Sequence, residues 1–347
     1  MRIGTAKENY IADAALFDTK VQKGWLFALV AGLFVLPFFT GQYASYLVCL
    51  VMINIVATTG LNILTGFTGL VSLGQAAFMG VGAYTVALME MKLGTPFLLN
   101  LLVAGVIAAV IGIIVGLPSL RVKGLYLAIA TIAASVILHF VFANWTEVTG
   151  GVSGLSMPPA SIFGVELVSA NEVYWMIMPI TVLMLFGAAN LFRTRIGRAF
   201  IAIRDRDISA EVLGIRLLRY KLLSFAISSF YAGVAGGLWA YFFRVITPES
   251  FPLIMSIFFL AAIIVGGMGS ILGGILGAVF MTMVPEILKM MVGVLSPIWP
   301  DAVAVMSPVR IIVFGALIIF FLIFEPDGLA EIWRKIRRFF HLWPFKT

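Results

Sequence analysis

The sequence specifies an all-α integral membrane protein of about ten transmembrane helices, with glycine-rich segments that can break or re-enter. Three observations point there. Of 347 residues, 62% are hydrophobic and 11% charged, against about 25% charged and about 45–50% apolar in soluble domains. Mean hydropathy is +1.10. Apolar runs recur along almost the whole chain, so the pattern is not one anchor on a soluble body. Disorder, which needs low hydrophobicity and high net charge, is excluded.

The elements follow in order. Residues 1–23 carry Glu8, Asp13 and Asp18 and no apolar stretch before Gly24, which is not the pattern of a cleavable signal peptide. Tyr10, Ala14, Phe17 and Val21 recur three or four residues apart, as in an amphipathic helix lying on a membrane surface. A hydrocarbon core about 30 Å thick takes roughly 20 apolar residues per helix. Ten candidate spans meet or approach that length: Gly24–Phe39, Tyr43–Leu64, Leu70–Met89, Pro96–Leu117, Leu125–Ala143, Val173–Phe192, Leu222–Phe243, Leu253–Met268, Ile271–Val292 and Val309–Phe324. They make a transmembrane domain over 24–325. The third and ninth open in glycine-rich sequence. The segment 326–347 is a basic tail in which Trp333, Phe339, Phe340 and Trp343 alternate with Arg334, Lys335, Arg337 and Arg338, an interfacial composition.

Charge sets the expected orientation. The net charge is +7, and 17 of the 23 Lys and Arg residues fall in three places: 4 within 1–23, 8 within 193–221 and 5 within 334–346. With ten spans all three clusters, and both termini, lie on the cytoplasmic side, as the positive-inside rule asks. Arg121 and Lys123 fall there too. The 144–172 loop, with Glu147, Glu166 and Glu172 and no Lys or Arg, lies outside. The positive balance therefore reads as topology and attraction to lipid headgroups, not as a nucleic-acid footprint.

Glycine clusters twice, and Gly66, Gly69 and Gly74 recur at an offset of 200 as Gly266, Gly269 and Gly274. Small residues let helices pack closely. Paired glycine-interrupted segments also mark broken helices at transporter sites. Gly66, Gly69, Gly74, Gly266, Gly267 and Gly269 are accordingly hinge or close-packing candidates.

Catalytic chemistry is thin. The sequence has no Gly-Lys dipeptide, hence no phosphate loop, and no His-Glu-x-x-His motif. Cys49 is the single cysteine, so no disulfide or cysteine metal site forms within the chain. Of two histidines, His139 lies within a span and reads first as a buried, hydrogen-bonded residue, with a proton relay as the alternative, since intramembrane ionisable groups are functional candidates by default; His341 sits in the basic tail. Glu286 and Lys289 are spaced to pair across a helical turn. Span centres hold almost no carboxylates, which counts against ion-coupled transport. Two separated histidines poorly supply the ligands of a haem-carrying anchor subunit. No catalytic residue or metal ligand is expected.

The 193–221 loop carries the mechanism. Ala199, Ile203, Ala210 and Leu213 give apolar positions at helical spacing among mixed charges, and Gly214 suits a helix C-terminus. Such a short amphipathic helix can dock in a groove of a soluble partner.

Several stretches resemble the permease subunits of branched-chain amino-acid ABC importers, of the LivM type. They are GLNILTGFTGLVSLGQAAFMGVGAY (60–84), LRVKGLYLAIAT (120–131), TGGVSGL (149–155), IGRAFIAIRDRDISAEVLGI (196–215), AGVAGG (232–237) within 221–240, and VGGMGSILGG (265–274). Residues 1–42 and 290–307 match poorly.

The resemblance implies a sister permease (LivH-like), two cytoplasmic ATPases (LivG- and LivF-like), an extracytoplasmic amino-acid-binding protein, and alternating access in the bacterial cytoplasmic membrane. ATP and magnesium then belong to the ATPases, with no cofactor on this chain. It makes 196–215, within the 193–221 loop, the ATPase-coupling segment, with Arg195 just before it and Arg198, Arg204, Asp205, Asp207, Glu211 and Gly214 inside it as candidate residues. Asn62, Ser72, Gln75, Tyr84, Tyr126 and Thr131 are candidates for the substrate path, or equally for interhelical hydrogen bonds. Thr149–Leu155 and Thr247–Phe251 are candidates to receive the binding protein. Urea, short amides or aromatic acids are alternative cargoes within the family.

Overall fold

A computed structural model describes residues 20–39, 41–119, 124–162, 165–295, 302–325 and 327–342. The amphipathic reading of residues 1–19 and the rings at Phe340 and Trp343 lie outside what is described.

Ten long helices correspond one for one to the ten expected spans. They are α1 (Lys20–Phe39), α2 (Gln42–Leu61), α3 (Gln75–Leu93), α4 (Phe97–Ser119), α5 (Leu125–Asn144), α6 (Ala170–Leu191), α9 (Leu217–Phe243), α10 (Leu253–Gly266), α11 (Ile271–Leu295) and α12 (Ala302–Phe324). Between α6 and α9 lie α7 (Arg195–Asp205) and α8 (Asp207–Val212), and α13 (Gly328–Leu342) follows α12. Among the described residues, seven helices are long and apolar enough to cross a membrane. Helices suit that solvent because every interior backbone group is bonded within the segment.

The core is built on α2, α3 and α9. Every residue from Met52 through Phe67 is buried, and small residues bring the backbones together. A methyl group on Gly82 would overlap the backbone of Gly233, and one on Gly236 would overlap the Met79 carbonyl. Close approach of this kind gives membrane bundles their dispersion contacts.

Two expected spans are cut at one end by a helix break, for one reason. The third begins at Gln75, not Leu70. Helix α2 runs on as a π-helical turn, Asn62–Phe67, and residues 68–74 are non-helical. The eighth ends at Gly266, and residues 267–270 separate it from α11. Left-handed backbone at Gly69 (φ +75°) and Gly269 (φ +74°) accompanies these breaks, a conformation glycine adopts without the Cβ penalty. Of the three matched pairs, Gly69 and Gly269 thus share a left-handed φ.

At one end of the bundle the loops are knitted together. Strand β1 (Leu155–Ser156) pairs antiparallel with β4 (Val245–Ile246), while β2 (Ala160–Ile162) and β3 (Val165–Leu167) form a hairpin. Arg244 closes α9 at φ +60°, accepts from Met157 N at 2.7 Å through its carbonyl and donates through Nη2 to the Leu167 and Val168 carbonyls at 2.7 and 2.9 Å. The two segments expected to receive a binding protein are adjacent here, since Gly154 lies against Ile246 and Thr247. Helix α6 opens beside them on a capping box between Ser169 and Glu172.

Candidate functional site

The opposite end carries α7 and α8. Thr194 caps α7, its Oγ1 accepting from Ile196 N and Gly197 N at 3.2 and 3.4 Å. Gly197 packs directly on the Phe192 backbone. Ala199, Phe200 and Ile203 turn into the bundle and are buried, leaving Arg195 and Arg198 exposed.

The segment expected to form one amphipathic helix forms two. Arg206 is extended (φ −159°, ψ 106°) between them, which resets the helical phase. Ala210 is buried as the first helix's apolar positions are, but Leu213 is 80% exposed, beside Ile208 at 71% and Val212 at 84%. Gly214 (φ +88°) ends α8; its N–H donates to the Glu211 carbonyl at 2.9 Å and that of Ile215 to Ala210 at 3.0 Å, the Schellman arrangement. Asp205 and Glu211 are exposed, and Asp207 faces Lys221 at 3.8 Å.

Arg204 joins this segment to both helix breaks. Its Nη1 donates to the Gly66 carbonyl at 2.9 Å, and its side chain lies over Gly69 and Gly269, where a Cβ would meet it. Asn62 ties the breaks to each other: Nδ2 donates to the Ser270 carbonyl at 2.8 Å and Oδ1 accepts from Gly269 N at 2.9 Å. A Cβ on Gly66 would collide with Asn62 Oδ1 and Gly269 N. Phe67 stacks on Phe192 at 3.4 Å between ring centroids, fixing the π turn to the residue where α6 gives way to α7. Gly266 and Gly267 pack on Gly273, Gly277, Asp327 and Ala330, so the second break also touches the start of α13.

The remaining path candidates separate. Ser72 accepts from Gly74 N at 3.3 Å. Gln75 donates to the Ala57 carbonyl at 2.7 Å and accepts from Ser228 at 3.4 Å. Thr131 accepts from Leu73 N at 2.9 Å and donates to the Ala128 carbonyl at 2.8 Å. All three are at most 1% exposed. Tyr84 is buried against Phe142, and its hydroxyl has no partner among the described residues. Tyr126 is 71% exposed and points away from the bundle.

Sequence reasoning passed over other polar contacts. Ser256, a lone hydroxyl in apolar α10, accepts from Ala76 N at 3.0 Å. Glu90 accepts from Asn100 Nδ2 and Tyr241 OH, each at 2.8 Å. The spacing that pairs Glu286 with Lys289 was readable, and they meet at 2.5 Å. Tyr43, which donates to Glu286 at 2.6 Å, was not. This buried carboxylate is neutralised by its partners. No cluster able to hold a metal occurs among the described residues.

Comparison with known proteins identifies the fold's family. Residues 43–322 match the model of the branched-chain amino acid transport system permease component. The high-affinity branched-chain amino acid transport system permease protein LivM of Escherichia coli K12 is 32% identical, over 94% of this chain and 79% of that protein. A probable branched-chain amino acid transport permease protein LivH of Methanocaldococcus jannaschii is 27% identical over 80% of this chain and 89% of its own length. The autoinducer 2 import system permease protein LsrC of Escherichia coli is 26% identical over 81% and 83%. No solved structure matches. With its helices and motif order accounted for, the chain belongs to the branched-chain amino acid ABC transporter permease family, as a LivM-type multi-pass membrane protein.

Proposed function

We propose that this chain is the membrane subunit of an ATP-driven importer of branched-chain or other hydrophobic amino acids. It works by alternating access with a sister permease, two separate ATPases and an extracytoplasmic binding protein. The observation that carries the reading is Arg204. It sits on a segment whose exposed face is apolar at Ile208, Val212 and Leu213 and charged at Asp205 and Glu211. Such a face suits a groove on a soluble partner. The same residue bonds the Gly66 carbonyl where two interrupted helices meet. A displacement of α7 and α8 by an ATPase therefore pulls directly on both breaks, and interrupted helices are where transporters change access.

In this reading α7, α8 and the termini face the cytoplasm, and the β1–β4 ladder faces outward to the binding protein. Importers of autoinducer 2 among the relatives leave the cargo open within one architecture. The test is reconstitution with co-produced partners, measuring ATP hydrolysis and uptake with binding protein loaded with leucine or isoleucine, and with urea or aromatic acids as competitors. Hydrolysis stimulated by loaded binding protein, with ATP-dependent uptake, is expected. Uptake without ATP, or hydrolysis indifferent to every loaded binding protein, overturns the reading.

A further inference from the structure

His139 is the one histidine whose surroundings are described, and the hydrogen-bonded packing role expected for it is absent. Its imidazole is half-buried and makes no hydrogen bond or ion pair among the described residues. It borders a half-open cleft of about 220 Å³ between α3, α5 and α10, together with Ser135, Ser256, Val136 and Phe251. An unpaired imidazole facing lipid is costly within a span, and intramembrane ionisable groups normally face a bundle interior or a watery cavity.

The depth of the cleft adds to this. Gln75, the first residue of α3, meets Ser228, the twelfth of the 27 residues of α9. At 1.5 Å per residue, α3 therefore starts about 16 Å along α9, near mid-membrane. Ala76 and Ala77 in its first turn line the cleft, as do Pro252 and Leu253 where α10 begins. Two helix starts thus open on one cleft that already holds an unpaired imidazole and two hydroxyls. Helix starts carry positive partial charge and favour a carboxylate. Val136 and Phe251 offer apolar surface beside them. The volume lies below the ~300–1,000 Å³ of sites for drug-sized ligands, which suits a small solute.

We infer that this cleft is the chain's share of the translocation path, taking a small carboxylate-bearing solute with an apolar side chain, with His139 as a specificity-determining contact to its carboxylate. The inference rests on the importer reading above.

The test separates it from that reading. In the reconstituted complex with Cys49→Ala, Val136→Cys lines the cleft, and its neighbour Ile137→Cys, exposed but outside the cleft, is the control. An impermeant methanethiosulfonate reagent is expected to label Val136→Cys and not Ile137→Cys, with labelling slowed by transported amino acid. Equal labelling of both, or of neither, overturns the inference whether or not uptake is ATP-driven. In His139→Gln, solute moved per ATP hydrolysed is expected to fall about tenfold, the effect of losing one charge-assisted hydrogen bond, while binding-protein-stimulated hydrolysis persists. An unchanged ratio overturns the role of His139. A wild-type complex with no ATP-driven uptake but selective, solute-protected Val136→Cys labelling would instead sink the importer reading and leave the cleft.

Discussion

Replacing Asn62 with alanine tests whether the two helix breaks are held as one unit. Asn62 is 2% exposed and makes one hydrogen bond in each direction, to Ser270 O at 2.8 Å and from Gly269 N at 2.9 Å. Truncation strips the Gly269 N–H of its partner, whereas the Ser270 carbonyl keeps the bond it accepts from Gly274 N at 3.0 Å. An orphaned buried polar group costs about 1–3 kcal/mol, whereas side-chain hydrogen bonds inside membranes average about 0.6 kcal/mol. Gly269 sits where the chain is non-helical, so no helical bond replaces what its N–H loses, and one orphaned group with one lost second bond comes to about 2 kcal/mol. In a chain of this size 1 kcal/mol moves Tm by about 2 °C, so Asn62→Ala is expected to melt about 4 °C below wild type. The assay is thermal unfolding of the purified subunit in detergent, repeated with Arg204→Ala and with the double variant. Because both side chains hold the Gly66–Gly269 junction, the double variant should lose less than the sum of the singles. A melting point within about 1 °C of wild type, with altered uptake, would refute the clamp and return Asn62 to the substrate path.

Gly69→Ala and Gly269→Ala should each cost about 1–2 kcal/mol from left-handed backbone alone, whereas Gly32→Ala, inside a helix with open space around it, should not lower Tm; equal melting of all three would remove the conformational argument. Val212→Asp with Leu213→Asp, at residues 84% and 80% exposed, should leave Tm within about 0.5 kcal/mol of wild type yet abolish co-purification of the ATPases; undiminished co-purification would move the docking face elsewhere. Tyr241→Phe removes a hydroxyl shared by Glu90 and Asn100 at 2.8 and 2.9 Å, and should lower stability by about 1–3 kcal/mol, read as a shift in Tm. Tyr126→Phe, on an exposed ring, should change neither Tm nor uptake.

Some of the site was written in local sequence. Gly214 could be placed at a helix end because α8 is short and mixed in charge, and a C-terminal glycine needs only its own neighbours. Glu286 and Lys289 could be paired because three residues on a helix is a fixed distance. Helical spacing sets Leu213 on one face with Ala199, Ile203 and Ala210 only along one unbroken helix; the extended Arg206 changes the phase, and no composition rule announces it. The polar residues of the glycine-rich segments looked interchangeable. Their partners divide them: Thr131 and Ser72 satisfy the irregular backbone of 68–74, while Tyr126 meets no interior at all.

By itself, the sequence determined that this chain is a membrane bundle, where its ten helices run and which loops are basic. Hydropathy and charge act residue by residue against the surrounding solvent, so they survive being read along a line. The tertiary structure alone decided that Gly69 and Gly269, 200 residues apart, share a left-handed φ beneath Arg204, that Asn62 bridges the two breaks, and that His139 opens on a cleft. Inside a bilayer every broken backbone turn must find a partner for its carbonyls and N–H groups. That partner is chosen by proximity in space, which the order of residues does not contain.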